Sequence, residues 1–103
     1  MSNFNAGAII SLDEAQLLVK AFQEKFPNEI KSSLIDADLV LQLLKQEDCV
    51  GLRIYNGYNS DAKRLSPVLV GVNSKKEDMT WGVILDRSSP CPTDCPITSA
   101  LMQ

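Results

Sequence analysis

Residues 50–56 read Val50-Gly51-Leu52-Arg53-Ile54-Tyr55-Asn56, and here the spacing of apolar side chains changes from helical to alternating. Alternation is typical of a strand that buries one face. Residues 67–73 and 79–86 repeat the pattern, so three consecutive strands are predicted. Strands that follow one another without an intervening helix favour an antiparallel meander.

Two helices are predicted on the N-terminal side of these strands. Ser11 and Glu14 have the spacing of a capping box, apolar residues recur behind them at helical spacing, and Pro27 ends the pattern. Asp36 is a suitable N-cap for a second, shorter helix that ends near Gln46.

The predicted fold class is α+β, with two amphipathic helices packed on one face of an antiparallel meander of three or four strands. The order is α-(β)-α-β-β-β, and the optional strand lies within residues 30–35. The helices are the only cover for the apolar strand face. That face is expected to carry Val50, Leu52, Ile54, Val68, Val70, Val72, Met79, Trp81, Val83 and Leu85.

The chain has 103 residues, 45% of them hydrophobic, which predicts one α+β domain over residues 1–103 with a proline- and cysteine-rich tail over residues 87–103. Ten basic and thirteen acidic side chains give a net charge of −3, so a nucleic-acid partner is not expected. No apolar run approaches membrane-spanning length, and the N-terminus does not resemble a secretory signal. We therefore expect a cytoplasmic protein without a membrane partner.

The second sheet face is predicted to be unusual because one glycine from each strand falls on it. These are Gly51, Gly71 and Gly82, with Arg53 and Tyr55 beside them. Strand glycines often mark a bulge or a close backbone approach. The tail, a second copy of the chain or a ligand could cover this face. We take it as a candidate interaction face, either for self-association, for example as a homodimer, or for a protein partner.

Catalysis is not favoured by the residue types present. The chain contains no histidine, the usual general base for a serine or cysteine nucleophile. No catalytic, cofactor-binding or metal-binding residue is assigned, and no cofactor is expected. One alternative is small-molecule catalysis by Arg53, Tyr55 and Asp86, if these three side chains converge on the second sheet face.

The segment Pro90-Cys91-Pro92-Thr93-Asp94-Cys95-Pro96 is a candidate thiol site. A turn at Pro92 could bring Cys91 and Cys95 within disulfide reach. Pro96 could begin a terminal helix over residues 97–102 with Cys95 as its N-cap. A redox pair, a metal site that uses both thiols, and a structural tail remain open. The third cysteine, Cys49, is expected to be a small buried apolar residue.

Three sequence segments together carry a resemblance to a known group. They are Cys49-Val50-Gly51-Leu52-Arg53-Ile54-Tyr55, Leu69-Val70-Gly71-Val72-Asn73, and Pro90-Cys91-Pro92 followed by Cys95. In this order they resemble a group of small Bacteroidetes proteins of unknown function with a C-terminal Pro-Cys-Pro-x-x-Cys segment. The resemblance implies a bacterial, cytosolic protein, and it assigns a role to no residue.

Overall fold

A computed structural model describes residues 4–102 and confirms an α+β fold with two helices and antiparallel sheets. The helices are α1 (Leu12–Lys25) and α2 (Ala37–Leu44). The strands are β1 (Ser32–Leu34), β2 (Cys49–Tyr55), β3 (Tyr58–Asn59), β4 (Arg64–Leu65), β5 (Val68–Asn73), β6 (Ile84–Leu85) and β7 (Ser89–Cys91). Within the described residues, neither helix has the length and apolar character needed to cross a membrane.

The central sheet has three strands in the order β2-β5-β6, all antiparallel. β5 runs through the middle, and β2 and β6 form the two edges. The register of β2 against β5 shifts between Cys49 and Gly51, where one extra residue enters β2 as a bulge. Beyond the bulge, Leu52 lies opposite Gly71, and Arg53 lies opposite Val70.

Helix α2 covers one face of this sheet and lies against all three of its strands. Its Leu43 is fully buried and packs with Leu69 of β5 and Leu85 of β6. Cys49 is a free thiol, half-buried against this cluster. This apolar cluster lies between one short helix and the centre of the sheet, and Val70 and Val72 of β5 are buried as well.

The predicted distribution of apolar residues between the sheet faces is wrong. Residues that pair directly across antiparallel strands project to the same side. The register therefore puts Leu52 and Ile54 on the α2-covered face with Leu69 and Gly71, while Val68, Val70 and Val72 project from the opposite, outer face. The prediction failed because β5 reads Val-Leu-Val-Gly-Val-Asn, in which nearly every position is apolar. Such a run lacks the alternation of apolar and polar residues that would show which side of the strand is buried.

The third predicted strand, residues 79–86, is paired at its C-terminal end and folds away in its middle. Ile84 and Leu85 pair with β5, but Gly82 donates its N–H to the Met79 carbonyl in a turn. Trp81, at this turn, is 69% exposed rather than buried in the core. Gln46, just beyond α2, holds the turn by accepting a hydrogen bond from the Val83 N–H at 2.7 Å.

Helix α1 begins as the sequence predicts, with the Ser11 side chain accepting a hydrogen bond from the Glu14 N–H. None of its residues is buried, and α2 rather than α1 covers the central sheet. Gln16 and Gln23, two turns apart, donate to the carbonyls of Ala100 and Leu101. Helix α1 is thus attached to the C-terminal segment.

The predicted terminal helix over residues 97–102 does not form. The segment contains turns, including a hydrogen bond from the Met102 N–H to the Ser99 carbonyl. The Ser99 hydroxyl accepts from the Leu101 N–H, a local bond that competes with helix formation. The carbonyls of Ala100 and Leu101 in this segment accept hydrogen bonds from glutamines of α1, so these two groups have partners without a helix.

Two small strand pairs complete the fold. β1 forms within the predicted residues 30–35, but it pairs with β7 and so adds no fourth strand to the central sheet. β3 and β4 form a hairpin within the segment that joins β2 to β5. The Glu29 carboxylate accepts hydrogen bonds from the N–H groups of Ile30 and Leu65, and these bonds tie the hairpin to the connection after α1.

Candidate interaction surface

The three glycines of the predicted interaction face do not share a face. Gly51 is on the outer face opposite Val72, and the Phe4 ring lies over it, 3.2 Å from where a Cβ would stand. Gly71 is on the other face, against Cys49 and Gln46, and Gly82 also faces Gln46. The last two glycines make room for the protein's own side chains. A glycine-lined channel on the outer face therefore does not exist.

Arg53 and Tyr55 do share the outer face, and both bind one carboxylate. The Arg53 guanidinium forms an ion pair with Asp78, and the Tyr55 hydroxyl donates to the other oxygen of Asp78. Asp78 bridges to Val72 of β5, which brings its side chain to this face. The sequence alone assigns no role to Asp78, because only its pairing with Val72 of β5 brings it to the outer face.

Asp86 does not join Arg53 and Tyr55. It accepts a hydrogen bond from the Ser66 hydroxyl at 2.7 Å, and this bond, with one from the Arg87 backbone, lowers the pKa of Asp86 below its usual value. The proposed catalytic convergence of Arg53, Tyr55 and Asp86 is therefore wrong.

The Arg53-Asp78-Tyr55 cluster joins two parts of the chain, because Arg53 and Tyr55 lie on β2 and Asp78 pairs with β5. The hydrogen bond to Asp78 raises the pKa of Tyr55 above its usual value of 10.0, with Arg53 opposing the effect. Tyr55 is thus a protonated hydrogen-bond donor at neutral pH and not a base. The charge of Arg53 is balanced by Asp78 in the same cluster.

A shallow groove of about 350 Å³ lies where the N-terminal segment approaches β2. Its lining includes Phe4, Gly51, Arg53 and Lys76, while Tyr55 and Asp78 are not on it. The ammonium of Lys76 lies 5.6 Å from the centre of the Phe4 ring, within cation–π range. The groove is therefore shaped by the N-terminal segment, and it shares Arg53 with the Arg53-Asp78-Tyr55 cluster.

The edge strand β2 carries exposed apolar side chains on the α2-covered face. Leu52 is 38% exposed and Ile54 is 58% exposed, because the short α2 does not extend over them. In α2 itself, Leu39, Leu41 and Leu44 are exposed although Leu43 is fully buried. We call these five exposed side chains, three on α2 and two on β2, the apolar surface.

The apolar surface belongs to a chain that is more open than its size predicts. The accessible surface is 7,827 Å², whereas a folded monomer of 11.3 kDa is expected to expose about 5,700 Å². The radius of gyration is 15.2 Å, against about 13 Å expected for this length. The chain leaves roughly 2,000 Å² more surface exposed than an ordinary monomer does.

Cys91 and Cys95 lie at disulfide-bonding distance and form the disulfide of the tail, with their Cα atoms 4.8 Å apart. Cys91 is fully buried at the end of β7, and its sulfur lies 3.9 Å from that of Met102. The Cys91 carbonyl accepts a hydrogen bond from the Lys31 N–H next to β1. No group of three potential metal ligands occurs within residues 4–102.

No family model, curated protein or solved structure matches this chain. The resemblance to the Bacteroidetes group therefore stays a prediction.

Proposed function

We propose that this chain is a non-catalytic self-association module whose partner is a second copy of itself. The carrying observation is the surface of 7,827 Å², which exceeds the expectation for a monomer by roughly 2,000 Å². A standard interface removes about 800 Å² from each partner, and obligate homodimers remove more. An obligate homodimer interface of about 4,000 Å² in total, within the range for such dimers, would account for the excess.

The composition of α2 supports this proposal. Its sequence is Ala-Asp-Leu-Val-Leu-Gln-Leu-Leu, and a helix that is apolar on most sides usually lies inside a core. The monomer buries Leu43 but leaves Leu41 and Leu44, which are neighbours on the helix, exposed. Fully burying an exposed leucine is worth about 1.5–3 kcal/mol, and since Leu41 is 46% and Leu44 41% exposed, a second copy would gain somewhat under half of that at each.

The outer face supports a non-catalytic role. The three polar groups that come together there satisfy one another, and the Tyr55 hydroxyl stays protonated because its pKa is raised. The net charge of −3 argues against a nucleic-acid partner. We further propose a cytoplasmic location.

The experiment is size-exclusion chromatography with multi-angle light scattering on three proteins. We expect the wild type to elute at about twice 11.3 kDa, and the Leu41→Asp variant to shift toward the monomer because it places a charge within the apolar surface. Gln42→Asp, at the next and also exposed position of α2, is the matched control and retains the wild-type mass. A monomeric wild type over the accessible concentration range refutes the proposal.

A second candidate function is a thiol switch at Cys91 and Cys95, favoured by the disulfide that joins them. In a cytoplasmic protein such bonds are usually transient. A two-electron reduction by a dithiol would break the S–S bond, protonate both sulfurs and oxidise the dithiol to its own disulfide. Thiol counting after equilibration in glutathione redox buffers tests this. A pair that stays oxidised throughout the cytosolic range of potentials contradicts the switch.

A further inference from the structure

We infer that the β2 edge is the centre of the homodimer interface and pairs antiparallel with β2 of the second copy, forming one continuous six-stranded sheet. This inference deepens the proposed self-association and rests on it. Within residues 4–102, β5 is the only strand that pairs with β2, although β2 spans seven residues and is the longest strand. Its other edge presents backbone groups that a second strand can bind.

The N-terminal segment lies beside β2 at Phe4 and Ala6 with a groove between them, but the sequence of β2 itself lacks most of the devices by which proteins prevent such pairing. Natural edge strands are commonly short, carry lysine or proline, or twist away at a bulge. Residues 49–55 contain neither lysine nor proline, and the bulge is confined to Cys49–Gly51 at the start of the strand. The opposite sheet edge, β6, has only two residues. The geometry therefore favours β2 over β6 as the edge that pairs.

The charge on β2 is also compatible with a two-fold pairing. Arg53 is the only charged residue in the strand, and Asp78 of the same chain forms an ion pair with it. A two-fold axis at Leu52, the middle residue of β2, sets Leu52 opposite its own copy and Arg53 opposite Gly51. This register avoids two facing arginines, which would repel each other.

The apolar side chains of β2 fit the same register. Leu52 and Ile54 project from the α2-covered face and are exposed in one chain. Across the proposed axis the two Leu52 side chains lie opposite each other, with an Ile54 two residues away on either side, so an apolar row continues from one chain to the other. The paired strands contribute backbone hydrogen bonds, and the apolar side chains contribute buried area.

Cysteine cross-linking tests the register. Directly opposite residues of antiparallel strands have Cβ atoms about 4.5–5.5 Å apart, close to the range that a disulfide spans. We expect Leu52→Cys to form a covalent dimer under mild oxidation, seen as a doubled mass on a non-reducing gel. Ile54→Cys is the control on the same strand, since its two copies lie four residues off register. Ile84→Cys, also half-exposed but on β6, is the control on the other edge. Neither control should cross-link.

The outcomes separate this inference from the proposed function. If the wild type is dimeric but Leu52→Cys gives no more covalent dimer than Ile84→Cys, the β2 pairing is wrong and self-association stands. If the wild type is monomeric, the proposed self-association and the β2 pairing are both wrong. As a measurement without mutation, amide hydrogen exchange of β2 in the wild type should slow at least tenfold on going from a dilute to a concentrated solution. Exchange in β2 that is independent of concentration, in a protein shown to dimerise, overturns the inference.

Discussion

Replacing Gly82 with alanine should destabilise the protein through one identifiable contact, the side-chain amide of Gln46. A Cβ at position 82 would overlap the Gln46 Oε1 atom, so that side chain must move. Gln46 makes two hydrogen bonds from this place, donating to the Leu43 carbonyl at 2.8 Å and accepting from the Val83 N–H at 2.7 Å. The substitution therefore breaks the link between the end of α2 and the turn that precedes β6.

The magnitude follows from these two bonds. Each hydrogen bond contributes about 1 kcal/mol net to the free energy of unfolding. Alanine in place of glycine adds about 0.5 kcal/mol of stability, because it reduces the conformational entropy of the unfolded chain. Gly82→Ala should therefore lower the free energy of unfolding by about 1.5 kcal/mol, which corresponds to a fall in Tm of roughly 6–12 °C. The φ angle of Gly82 lies outside the left-handed region, so backbone strain adds nothing.

A double-mutant cycle isolates the contact. In a Gln46→Ala background the obstructing amide is absent, and Gly82→Ala should be neutral or slightly stabilising, giving a coupling energy of about 2 kcal/mol. Urea unfolding followed by circular dichroism measures all four proteins. An equal cost of Gly82→Ala in both backgrounds would refute the proposed role of Gln46.

Three further results are expected. In a Tyr58→Phe protein Tyr55 is the remaining tyrosine, and spectrophotometric titration should give a pKa above 10.0 for it. Adding Asp78→Asn should lower the pKa of Tyr55, and an unchanged value would show that Asp78 is not the cause of the raised pKa. Two backbone N–H groups lower the pKa of Glu29 below its usual 4.5, so the unfolded state takes up the proton first and the free energy of unfolding should fall as the pH drops through this region. Urea unfolding at about pH 6 and about pH 3 should show a smaller pH dependence of stability for Glu29→Gln than for the wild type, and an equal pH dependence would contradict this role of Glu29. Cys95→Ser removes the disulfide and should lower the free energy of unfolding by about 2 kcal/mol, by the chain-entropy estimate for a short loop. Amide hydrogen exchange in α1 should become faster, and unchanged exchange would show that the tail does not hold this helix.

The sequence was sufficient to predict those parts of the fold that local patterns determine. Ser11 begins α1 where the capping pattern places it, and the alternation after Cys49 marks β2. Each of these signals lies within a few residues of the element that it specifies. The α+β class follows from them, because amphipathic helices and half-buried strands must cover one another.

The parts that were not predicted depend on contacts between distant residues. The turn at Trp81 interrupts a plausible strand because Gln46, far away in the chain, accepts the Val83 N–H. Gly51 and Gly71 lie on opposite faces of the sheet because of the register of β2 against β5. That register cannot be predicted from the sequence, since no local pattern marks the bulge and nearly every residue of β5 is apolar. Asp78 was missed for the same reason, since its partners Arg53 and Tyr55 lie on another strand.

Sedimentation equilibrium of the wild-type protein at low micromolar concentration tests most directly whether a second copy covers the surface that one chain leaves open. A self-associating protein gives a mass of about twice 11.3 kDa that falls toward the single-chain value only on strong dilution. A mass of 11.3 kDa at every concentration would contradict the proposed self-association.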